Sequence, residues 1–123
     1  MHELAIVVNI LEIVEEHLSR EESPGEVSRI VLRVGELSGV MEEALKFNFE
    51  MAKRGTLADQ AVLEINAVEG RGCCRSCLEE FKVGEFVVVC PACGSRNVEI
   101  TAGQELQIKE IYLQETPATS DSN

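Results

Sequence analysis

Two Cys-x-x-Cys pairs, Cys74-Arg75-Ser76-Cys77 and Cys90-Pro91-Ala92-Cys93, lie twelve residues apart and constrain the fold of this chain more than any other feature. Each pair can bend into a knuckle that presents two thiolates to one ion. Two facing knuckles close a tetrahedral four-sulfur site, the arrangement preferred by structural zinc. Gly94 permits the turn after the second pair, and Pro91 preorders it. A closed site keeps no open coordination position, so its work is to fold a segment too short and polar to build its own core, not to catalyse. Iron also accepts four sulfurs, but the short loop, with only Phe81 and Phe86 as aromatics, favours zinc. Only Cys74 has two residues between itself and Cys77, so the fifth thiol, Cys73, reads as a small residue flanking the knuckle.

A metal reading of the cysteines requires a reducing compartment. No apolar run approaches the roughly 20 residues needed to cross a bilayer. Met1-His2-Glu3 leads into acidic sequence, with no basic segment of the signal-peptide kind, so a cytoplasmic protein is expected. The formal charge of −11, with its few Lys and Arg scattered, disfavours a nucleic-acid partner and leaves the reading of a zinc-ribbon interaction module weak. An enzyme is disfavoured too. The sequence has two histidines and no His-Glu-x-x-His, Gly-x-Ser-x-Gly or phosphate loop.

Around the cysteines the pattern is that of a small α+β protein. Apolar residues recur at helical spacing from Glu3 to Arg20, through Leu4, Val7, Val8, Leu11, Val14 and Leu18; Ile6, Ile10 and Ile13 widen that face, as if the helix were covered on more than one side. Ser23-Pro24-Gly25 marks a turn. Val27 to Val34 alternates like a strand with Ser28, Ile30, Leu32 and Val34 on one face and a wet face opposite. Ser38 is a candidate N-cap for a second helix running to Arg54, stopped by Gly55. Strands follow at Ala61 to Val68 and Gln104 to Leu113. The expected architecture is two helices on a small three-stranded mixed sheet, with a zinc-ribbon-like module inserted between two of its strands. Residues 1–69 with 104–115 form the first unit, 70–103 the second, and 116–123 a disordered tail. The exposed late strand can pair between chains, so monomer and homodimer both stay open.

His2 alone is a weak signal. Yet the Met1 α-amine, the His2 amide and its imidazole can form two fused chelate rings around one ion, a planar nitrogen set suited to Ni(II) or Cu(II). His17, near the end of the first helix, reads as a surface residue facing the helix dipole.

Taken together, Met1-His2-Glu3-Leu4, Val34-Gly35-Glu36-Leu37-Ser38 and the two cysteine pairs, in that order, resemble the HypA/HybF family of nickel metallochaperones for [NiFe]-hydrogenase maturation. The resemblance runs from Met1 to about Leu113. It implies nickel carried at His2, with the Met1 amine and Glu3 beside it, and structural zinc held by Cys74, Cys77, Cys90 and Cys93. It also implies work with a HypB-like GTPase, delivery to the hydrogenase large subunit and, in some members, supply to urease maturation proteins.

Overall fold

The computed structural model describes residues 3–20, 25–84 and 88–114. Met1, His2, the Ser23-Pro24 turn, Phe86 and the polar tail lie outside these residues. The elements are α1 (Glu3–Leu18), β1 (Val27–Gly35), α2 (Glu42–Ala52), β2 (Val62–Val68), β3 (Arg71–Cys74), β4 (Glu80–Lys82), β5 (Val98–Ala102) and β6 (Leu106–Leu113). β1 is the middle strand of one sheet, parallel to β2 and antiparallel to β6, so this sheet is mixed as expected. The parallel neighbour requires a crossover, which α2 supplies. The core joins Val7, Ile10, Leu11 and Val14 of α1 to Ile30, Leu32 and Val34 of β1, with Leu45 and Phe49 of α2 and Leu63 of β2. It is aliphatic apart from Phe49, as a chain with 4% aromatics requires.

Three local expectations are corrected. The second face of β1 is not wet throughout: Val27 and Val31 are buried. A central strand has neighbours on both sides, and Val31 stands in register with Glu64 and Glu110. Beside it Arg29 bonds Glu64 at 2.8 Å and lies 4.1 Å over the Tyr112 ring, so long polar side chains roof that face. Ser38 does not cap α2. Gly39 takes φ +79° and breaks the path; the Ser38 hydroxyl instead accepts the Val40 N–H at 3.3 Å, and α2 starts after Met41. At that start a Glu3 carboxylate oxygen accepts the Met41 N–H at 3.1 Å, tying the beginning of α1 to the beginning of α2. Nor is α1 covered on more than one side, since Leu4, Val8 and Ile13 are exposed.

The chain leaves β2 to build a second, antiparallel sheet in the order β4-β3-β5, and returns through β6. Exit and re-entry are clamped against the turn after β1. The Gly103 carbonyl accepts the Leu37 N–H at 2.7 Å, and the Glu105 carbonyl accepts the Gly35 N–H at 2.7 Å. Two carboxylates complete the clamp: Glu36 accepts the Gly70 N–H at 3.1 Å and Glu105 the Gly103 N–H at 2.7 Å. The backbones approach so closely that a Cβ on Gly35 would overlap the Gly103 carbonyl, and one on Gly103 would lie 2.5 Å from the Gly70 Cα. Gly103 also holds φ +107°, which side chains rarely adopt.

Candidate metal centre

β3 delivers Cys74 to the first knuckle, and a turn ahead of β5 delivers Cys90 and Cys93 to the second. Both knuckles use the same backbone scheme. The Cys74 carbonyl accepts the Leu78 N–H at 2.8 Å, and the Cys90 carbonyl accepts the Gly94 N–H at 2.8 Å. Each ends in a left-handed residue, Leu78 at φ 67° and Gly94 at φ 77°. Leu78 is three-quarters exposed, so its side chain gains little packing in return for that conformation. Leu78→Gly is therefore expected to keep the module folded and to raise stability by up to about 1 kcal/mol, read as a higher urea midpoint; a clear loss would show that the leucine side chain matters.

The four sulfurs of Cys74, Cys77, Cys90 and Cys93 all lie within 4.8 Å of one another. Cys74 to Cys93 and Cys77 to Cys90 are each 3.6 Å apart. Four sulfurs at about 2.3 Å from one ion in a tetrahedron stand about 3.8 Å apart, so the donor set fits structural zinc in both chemistry and spacing. Cys74 and Cys90 are buried, Cys77 and Cys93 exposed. The buried sulfurs each face a backbone donor: the Cys77 N–H meets the Cys74 sulfur and the Ala92 N–H meets the Cys90 sulfur, both at 3.4 Å.

These donors set the protonation pattern. The Cys77 N–H stabilises the Cys74 thiolate against the opposing effect of burial and pulls its pKa down to about 6. For Cys77, the Glu79 N–H acts in the same downward direction, but the neighbouring Cys90 sulfur, burial and Cys74 outweigh it and push the thiol up to about 12. Cys93 is pushed up as well: the Ser95 N–H lowers it, and the Cys74 sulfur and burial more than offset that. A neutral solution thus finds Cys74 largely ionised, while Cys77 and Cys93 hold their protons. The cluster takes up a divalent cation only by releasing those protons, so its affinity rises with pH.

Cys73 stays out of the cluster. It occupies the next position along β3, in register with Glu80 and Glu99, where strand alternation turns it to the other face. Glu3, the other described residue assigned to a metal, opens α1 far along the chain from the thiols and makes the bond to Met41; His2 lies outside the described residues. Sequence reasoning missed Glu36 and Glu105 as the carboxylates that clamp the cysteine module to the sheet. Their signal was present in the glycines opposite them, Gly70 and Gly103, which bracket the module. No described helix is long and apolar enough to cross a membrane.

Comparison with known proteins points to one family. A family model described as "Hydrogenase/urease nickel incorporation, metallochaperone, hypA" matches residues 1–113. The hydrogenase maturation factor HypA of Dechloromonas aromatica is 42% identical over 114 residues, covering 93% of this chain and 100% of that protein. Its counterpart in Chlorobaculum tepidum is 44% identical with the same coverage. Among solved structures, the nickel metallochaperone HypA from Helicobacter pylori superposes with a TM-score of 0.66 at 28% identity, over 92% of this chain and 97% of that one.

Proposed function

The chain belongs to the HypA family of hydrogenase and urease nickel-incorporation metallochaperones, and from that premise we propose that it carries Ni(II) at its N-terminus. The donors are the Met1 amine and the amide and imidazole nitrogens of His2, with Glu3 beside them. Nickel is cargo, passed with the help of a HypB-like GTPase to the large subunit of a [NiFe]-hydrogenase. The work is binding and transfer in the cytoplasm, without turnover. Residues 1–69 and 104–115 form the nickel-carrying unit and 70–103 the zinc unit, where Cys74, Cys77, Cys90 and Cys93 hold a resident ion that keeps the module folded.

The observation that carries this reading is the family match over residues 1–113, which spans both the terminal donors and the four thiols. The bond from Met41 to Glu3 adds support, because it anchors the residue next to His2 and reduces the freedom a terminal chelate would otherwise lose on binding. Nitrogen donors at one end and thiolates at the other divide the two metals by ligand type, not by raw affinity. Protons compete for the amine and imidazole, so nickel uptake weakens towards acid pH.

The test is calorimetry with elemental analysis on untagged protein. Wild type is expected to take up about one nickel beside its zinc, and His2→Ala to bind nickel at least about 100-fold more weakly with zinc unchanged. Nickel uptake that survives His2→Ala at full strength would remove the terminal site.

A further inference from the structure

We propose that the groove between α1 and β6 docks a helix of a partner protein, apolar along about two turns and basic along the next two. The groove encloses about 550 Å³. Ala5, Ile6, Ile10 and Ile13 make one wall, Leu106 and Ile108 the other, and Leu32 the floor. Its apolar lip is open to water, with Ile13 44% and Leu106 37% exposed. The wall from Ala5 to Ile13 is about 12 Å long at 1.5 Å per residue, a little over two helical turns. Its side chains recur at helical spacing, which matches the i, i+4 ridge of an incoming helix.

Charge selects the occupant. Beyond Asn9 and Ile13 the groove opens into a depression lined by Glu12, Glu15, Glu16 and Ser19. Glu16 pairs with Arg20 at 3.6 Å, whereas Glu12 and Glu15 make no ion pair among the described residues. The negative end of the α1 dipole adds to the field there. A second copy of this chain, at −11, and an anionic bilayer are both repelled by such a surface. A Lys- or Arg-bearing helix is attracted and held in one direction, its apolar turns towards the start of α1 and its basic turns towards the end. The groove wall begins at Ala5, three residues along the chain from His2. This inference goes beyond metal binding and stands or falls separately from it.

The experiment titrates the isotope-labelled full chain with two synthetic helical peptides of about five turns. Both carry the same leucine face; one is flanked by lysine, the other by glutamate. The lysine peptide is expected to shift the amides of 5–13 and 106–108 and to leave the exposed face around Phe47 on α2 unmoved. Ile13→Asp should abolish the shifts, and Glu12→Lys with Glu15→Lys should weaken binding about tenfold. Nickel uptake is measured on the same variants and should not change, so docking and nickel binding are judged independently. Equal binding of both peptides, shifts elsewhere, no shifts at all, or a groove filled by a second copy (a dimer in sedimentation that Ile13→Asp dissolves) would each overturn the proposal.

Discussion

Cys90→Ser is expected to empty the zinc site, from about one ion per chain to below about a tenth, and to unfold β3, β4 and β5 while leaving α1, β1, α2 and β2 folded. Structural zinc contributes on the order of 10–16 kcal/mol to the folding of small modules, so a segment that relies on it has little to fall back on. Cys90 is buried, 3.6 Å from Cys77, and its sulfur takes the Ala92 N–H. A serine there offers a harder, poorer donor and leaves the turn without its closing ion. The core over the mixed sheet contains no thiol; its buried members run from Val7 to Leu63, with Ile108 and Ile111 packed beside them. Elemental analysis and the amide spectrum read the two parts separately. Loss of dispersion throughout α1 and β1 would show instead that the sheet depends on the ion.

For Gly35→Ala, a loss of about 3 kcal/mol or more is expected, seen as a lower urea midpoint. The added methyl would meet the Gly103 carbonyl and the Gln104 nitrogen, both backbone, and no side-chain rotation can relieve the overlap. To make room, the clamp between the sheets must open, giving up the Leu37 to Gly103 and Gly35 to Glu105 bonds. Gly25→Ala is the control, since nothing lies within 4 Å of its position, and it should change stability by less than about 0.5 kcal/mol. If both variants melted together, the close approach would carry no weight.

Much of this molecule was legible in the sequence because two strong periodicities coincide with two strong chemical signals. The Val27 to Val34 alternation and the α1 spacing place Ile30, Leu32, Val7 and Leu11 in the core, where they are found. The cysteine spacing picks out the four thiols that the structure gathers, and the single spacing rule separates Cys74 from Cys73. What was not legible depends on the third dimension. Whether Val31 is wet depends on Arg29 and Glu64, which meet only after the strands pair. Leu78 gives no hint of a left-handed conformation, because the demand comes from the knuckle that surrounds it. Ile13 looks like a core residue on a helical wheel, but the sheet edge at β6 does not reach over it.

The order in which the chain is made gives the inserted module one more role. β6 is the last of the described strands to be synthesised and must find β1, far earlier in the chain: the Ser28 hydroxyl bonds the Tyr112 carbonyl across 84 residues. Long-range pairing of this kind is slow, because the connecting chain must be closed first. A cysteine module already wrapped around its ion brings Gly70 and Gly103 together and removes most of the slack between β2 and β6. Each halving of the effective loop saves about 0.6 kcal/mol of closure entropy. With zinc as the resident ion proposed above, zinc supply would set the pace at which a sheet that never touches the ion is completed.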